Sequence, residues 1–187
     1  VPAALGYAQS SKIKFELGLI RNHYVGRTFI EPTQNIRSFG VKLKLSSTKS
    51  ILKNKSVILI DDSLVRGTTC SKIVKMLYKA GAKEVHVRIA CPEIKYPDFY
   101  GVDMPTKKEL LSSTKNKNEI SEFLGAASCN FLSINGLYKA LLKEQRNNNY
   151  PQFSDHYFTG DYPVKALDRL GSEKITQLSL LSNKSIS

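Results

Sequence analysis

The alternation of apolar and polar positions divides the chain into short periodic blocks. Near the start, Ala3, Ala4, Leu5 and Ala8 recur at helical spacing and predict the second half of a helix. "FELGLI" (15–20) reads as a short strand. Residues 21–40 mix Arg, His, Tyr, Gly and Pro without a period, which predicts a long loop, of a kind that is usually functional or mobile. "VKLKL" (41–45) alternates apolar and basic side chains, the signature of a half-buried strand. "STKSILKNK" (47–55) is polar and turn-like.

The strongest pattern follows. "SVILI" (56–60) is an apolar, β-branched run of the type found in strands buried on both faces of a parallel sheet. "CSKIVKMLYKAGA" (70–82) places Ile73, Val74, Leu77 and Tyr78 on one helical face, with Gly81 as the C-terminal stop. "EVHVRIACP" (84–92) is the next strand. Residues 56–90 therefore predict one β-loop-α-β unit, with a right-handed parallel crossover. Beyond it, "NKNEISEFLGA" (116–126) is amphipathic, "SCNFLSI" (128–134) is strand-like and "NGLYKALLKEQ" (135–145) is helical. From Arg146 the chain is Asn-rich, then aromatic and loop-like, then Ser/Lys-rich, and its last ten residues are expected to be disordered. No internal repeat is present. The fold class is α/β, a parallel sheet flanked by helices.

Composition narrows the picture. A chain of 187 residues with 41% hydrophobic content suits one domain with an appendage and a sizeable core. No window approaches the roughly 18 consecutive apolar residues of a membrane span. The start, "VPAALGYAQS", lacks the basic n-region of a signal peptide. Cys70, Cys91 and Cys129 are far apart, odd in number and form no CxxC, so neither a disulfide framework nor a zinc site is expected, and a reducing cytoplasm fits best. The net charge of +12 favours anionic partners, either phosphorylated small molecules or nucleic acid.

Candidate chemistry sits at "VILIDDSLVRGTT" (57–69). In an open α/β sheet, ligands bind at the carboxyl ends of strands, where Asp61 and Asp62 stand. The next helix begins near Thr69 or Cys70, and its first turn offers free N–H groups with a partial positive charge. Gly67 lets the backbone approach closely, and Thr68 and Thr69 add hydroxyls, which makes a phosphate cradle. Two carboxylates would repel that phosphate unless they serve another part of the ligand. Vicinal sugar hydroxyls and a divalent metal on a second phosphate group satisfy them. A terminal phosphate, a ribose diol and a metal-bound pyrophosphate together have the shape of phosphoribosyl pyrophosphate.

These residues carry a resemblance. "VILIDDSLVRGTT" resembles the phosphoribosyl pyrophosphate motif of type I phosphoribosyltransferases, and its "SLVRGTT" form resembles the glutamine amidophosphoribosyltransferase family. "GLIRNHYVGRTFIEPTQ" (18–34) resembles that family's mobile active-site loop, and "AGAKEVHVRIACPEI", "FYGVDMPTKKELL" and "FTGDYP" (158–163) extend the similarity over roughly residues 1–165. The resemblance implies a pentosyltransferase of de novo purine synthesis. Ammonia released from glutamine by a separate glutaminase domain displaces pyrophosphate from phosphoribosyl pyrophosphate and gives 5-phosphoribosylamine. By the same resemblance, Asp61 and Asp62 hold the ribose hydroxyls and Mg2+. Ser63, Leu64, Val65, Arg66, Gly67, Thr68 and Thr69 cradle the 5-phosphate. Arg21, Tyr24 and Arg27 close over the pyrophosphate and seal the ammonia path. It implies a phosphoribosyltransferase domain over 1–145 and a C-terminal extension over 146–187. A homo-oligomer is implied too, with no nucleic-acid or membrane partner.

Three departures stand out. Val1 falls just after the family's "PDS" segment, so the glutaminase domain and the opening strands of the core are expected to be absent. The sheet would keep an uncovered side, and the isolated chain is expected to be poorly soluble. Asp98, Ser154 and Tyr157 occupy places where many members carry thiolates for an iron–sulfur cluster, so no such cluster is expected; His156 beside them reads as a surface residue without a role. His23 stands where a basic residue is expected. An inactive fragment or a non-catalytic phosphoribosyl pyrophosphate-binding regulator is the alternative function.

Overall fold

The computed structural model describes residues 1–21, 45–102 and 106–164. Helix α1, Pro2–Ser11, opens with proline in its first turn and ends at Lys12 in the left-handed region. None of its residues is buried. Strand β1, Leu19–Arg21, pairs antiparallel with β2, Leu45–Ser47. The strand expected over 15–20 is thus confined to its end, because only Leu19–Arg21 meet a partner. Of the strand expected over 41–45, only Leu45 lies within the described residues. The polar stretch 47–55 holds a single helical turn, α2, Lys49–Leu52, which the burial of Leu52 pins down.

The β-loop-α-β unit forms as its pattern predicts. Strand β3, Ser56–Asp61, leads through a loop to helix α3, Thr68–Lys79, and on to β4, Glu84–Ile89, parallel to β3. Strand β5, Ser128–Phe131, adds to the far side of β4, also parallel. Within the described residues this sheet has the order β3-β4-β5. Val57 and Leu59 share one face with Val85, Val87, Ile89 and Cys129, and that face packs against Cys70, Ile73, Val74 and Leu77 of α3. Period-2 pleating puts Asp61 on the same face, at its carboxyl end.

Two packing expectations need correction. β3 is only half-buried, because a neighbour strand covers one of its edges and α1 lies loosely over its other face. A cleft of about 880 Å³ opens there, lined by Ala4, Tyr7, Ile58, Ile60, His86 and Arg88. Tyr78 leaves the apolar face of α3: its ring is exposed while its hydroxyl accepts from Val85 N at 3.3 Å.

A 3-10 turn, Lys107–Glu109, runs into the short helix α4, Leu111–Thr114. Helix α5, Lys117–Leu124, carries a capping box at Asn116 and Glu119 and ends on left-handed Gly125. The strand expected over 128–134 stops at Phe131, since Ser133 caps helix α6, Ile134–Leu142. α6 stops short of the expected 145, with Lys143 left-handed. The segment beyond it includes a turn, α7, His156–Thr159, and is fixed by a buried ion pair. Asp155 accepts from Arg146 Nε at 2.6 Å and from Tyr138 Oη at 2.8 Å, and Arg146 also reaches Asp161. The last ten residues lie outside the described ones.

Candidate functional site

Asp61 and Asp62 close β3. Ala90 N donates to Asp61 O at 2.9 Å, so β4 fixes the backbone where the strand ends. The Asp61 carboxylate is half-buried and accepts from Asp62 N at 3.0 Å. Burial raises its proton affinity, the Asp62 amide opposes this, and the Asp62 charge adds to the rise. Asp62 is exposed and accepts from Ser63 Oγ at 3.2 Å. One acid therefore faces the helix and the other solvent.

Leu64 anchors the following loop with its side chain 2% exposed. Its amide also donates to the Cys91 thiol, whose proton affinity burial pushes up to about 11. Gly67 is the N-cap of α3 at φ 73°, and no side chain caps the helix. The first-turn amides of Thr68, Thr69 and Cys70 consequently have no intrahelical partner. Anionic groups are favoured at such an end by the helix dipole as well.

Packing shows why position 67 is glycine. A Cβ there would lie 2.6 Å from Leu111 Cδ2 and 3.0 Å from Phe123 Cε1. The space was expected to serve a ligand; the protein's own side chains fill it. The loop is packed on that side and open at Asp62, Ser63, Arg66 and Thr69. Leu111 N donates to Val65 O at 2.9 Å, and Arg66 pairs with Glu109. Glu109, Leu111 and Phe123 were not singled out from sequence, because nothing in their spacing ties them to a loop more than forty positions away.

Of the lid residues, Tyr24 and Arg27 lie outside the described residues, and only the backbone of Arg21 is described, at the end of β1. His23 also lies outside them. Among the described residues no cluster of three or more His, Cys, Asp or Glu side chains is placed to hold a metal by itself. The two aspartates still fit Mg2+, which takes one or two carboxylates and completes its shell with water and substrate phosphate.

His156 corrects its expectation as a surface residue. Its side chain is 1% exposed, and Nε2 lies 2.7 Å from Asp98 Oδ1. Nδ1 lies 3.0 Å from Ser154 Oγ, and the ring packs tilted by 36° against Tyr157 at 4.0 Å between centroids. Asp98 Oδ2 also accepts from Tyr100 N and Val102 N. Burial pushes Asp98 up, but Val102 N, His156 and Tyr100 N outweigh it and hold the carboxyl below its usual range. A carboxylate only accepts, so His156 donates from Nε2 to Asp98, and Nδ1 meets the Ser154 hydroxyl. Asp98, Ser154 and Tyr157 therefore meet around one buried histidine, with Asp98 buried beside it, Tyr157 half-buried and Ser154 at the surface.

Comparison with known proteins follows the same lines. No family model matches the chain. An amidophosphoribosyltransferase of Rhizobium etli is 57% identical over 183 residues, 97% of this chain and 37% of that protein. The chloroplastic amidophosphoribosyltransferase 1 of Arabidopsis thaliana is 56% identical over 88% of this chain and 28% of its own length. Among solved structures, the glutamine phosphoribosylpyrophosphate amidotransferase of B. subtilis, complexed with ADP and GMP, superposes with a TM-score of 0.75 at 46% identity, over 88% of this chain and 36% of that one. The chain spans about a third of the length of the curated relatives it matches.

Proposed function

The chain is a homologue of the amidophosphoribosyltransferases, matching a part of them, and we propose that it forms the phosphoribosyl pyrophosphate-binding portion of such an enzyme. One observation carries this reading: a strand that ends in two acids runs into an uncapped, glycine-started helix whose open side is next to those acids. The ammonia donor in this proposal is a glutaminase domain, and the product is 5-phosphoribosylamine, the first step of purine synthesis.

The roles divide by chemistry. The amides of Thr68 and Thr69 take the 5-phosphate, with Ser63 and the loop through Gly67 shaping the cradle. Asp61 and Asp62 accept from the ribose hydroxyls. Asp62, the exposed acid, is the better placed of the two to hold Mg2+, which when bound neutralises charge on the departing pyrophosphate. Arg21, Tyr24 and Arg27 are assigned to pyrophosphate and to exclusion of water, which would otherwise compete with ammonia. The thiols of Cys70, Cys91 and Cys129 are free, and burial pushes their proton affinities up to about 12, 11 and 11; a cytoplasmic location is a further part of the proposal. A homo-oligomer remains part of the proposal.

Calorimetric titration of the chain with phosphoribosyl pyrophosphate tests it. Binding is expected with Mg2+ and is expected to weaken at least about tenfold in Asp62→Asn, as loss of a charged ligand contact does. Binding that ignores both Mg2+ and Asp62 contradicts the proposed roles.

A further inference from the structure

The loop between β3 and α3 is held from one side by a strap, Thr106–Leu111. Two of the contacts are apolar or main-chain: Leu111 N on Val65 O, and the Leu111 side chain against Gly67. The third is ionic. Arg66 Nε donates to Glu109 Oε1 at 3.1 Å. Arg66 is the single cation between Asp61 and Thr69.

Glu109 is oriented before it meets Arg66. Its other oxygen, Oε2, accepts from Thr106 N at 3.2 Å and from Thr106 Oγ1 at 3.1 Å, closing a capping box on the 3-10 turn. A side chain locked by its own turn is a fixed point against which a long, rotamer-rich arginine can be ordered. Left without it, Arg66 would be free to reorder with the loop, and that ordering would have to be paid on ligand binding.

Resting on the reading of this loop as a phosphate cradle, we propose that Glu109 is a positioning residue for it. Glu109 holds Arg66 on the strap side, and Arg66 in turn fixes the backbone of 64–67, so that the amides at the start of α3 are arranged before a phosphate ester arrives. Glu109 acts through Arg66 and touches no ligand itself.

A double-mutant cycle on the whole chain tests this, with Mg2+ and phosphoribosyl pyrophosphate as the probe. E109Q keeps the size of the side chain and removes its charge. It is expected to raise Kd about threefold to fivefold, the range that a half-exposed ion pair carries, with a melting midpoint within about 2 °C of the parent. R66A should weaken binding at least as much, and the double variant should equal R66A alone. Additive losses overturn the proposal, as does an E109Q variant that binds like the parent or one whose loss of affinity follows a loss of stability. If the parent chain itself takes no phosphoribosyl pyrophosphate, the cradle reading fails and the proposal falls with it. If the parent binds and the cycle is additive, the role of Glu109 alone is refuted.

Discussion

His156 and Asp98 share one hydrogen bond of 2.7 Å, with side-chain exposures of 1% and 0%. That contact ties the turn after residue 155 to the loop before Tyr100, and two main-chain amides complete the Asp98 shell. Asp98 is held below the ordinary carboxylate range, so its contribution to stability has a definite sign. It is fully present above the unfolded-state value, near pH 4, and is lost as pH falls through the lower folded value. Asp98→Asn is therefore expected to lower the melting temperature at pH 7 and to flatten the acid limb of the stability curve. Thermal melts between pH 3 and 7 read both; an unchanged acid limb would show that Asp98 is not the group responsible.

Asp61 has the opposite sign. Its raised proton affinity means that its contribution is present below the unfolded carboxylate value and is lost as pH rises through the folded one. At pH 7 the ionised group opposes folding. Asp61→Asn should therefore melt higher than the parent at pH 7 while losing affinity for the ribose and Mg2+. A variant that is both less stable and still competent to bind would contradict the assignment.

Gly67 combines a left-handed backbone with a Cβ position 2.6 Å from Leu111. Gly67→Ala should cost about 2 kcal/mol in denaturant unfolding, from the φ penalty together with the clash. Shrinking the neighbour should recover part of this, so the Gly67→Ala cost is expected to be smaller in a Leu111→Ala background. Equal costs in the two backgrounds would show that the contact with Leu111 does not matter.

Local pattern made much of this architecture readable. The β-branched run 56–60 forms its strand, though half-buried rather than covered on both faces; the amphipathic face of Ile73, Val74 and Leu77 packs as expected, and the acid pair stands at the strand's carboxyl end before Gly67. What the sequence hid was long-range. Leu111 and Phe123 complete the loop from beyond residue 106, and no periodicity links them to Gly67. His156 looked like a surface residue because an isolated histidine gives no sign of its partners; its burial depends on Asp98, fifty-eight positions earlier. β5 ends at Phe131, short of the expected 134, because Ser133 works as a helix cap, which outweighs the apolar residue beside it.

A phosphate ester set against the first turn of α3 is the contact on which every proposed role depends. The most direct measurement is a titration of the isotope-labelled chain with phosphoribosyl pyrophosphate and Mg2+, followed through backbone amide resonances. The largest shifts are expected at Gly67, Thr68 and Thr69, with smaller ones at Asp61 and Asp62, and inorganic phosphate alone should move the first group and spare the second. Shifts confined to the cleft beneath α1, with the amides of 67–69 unmoved at saturation, would contradict it.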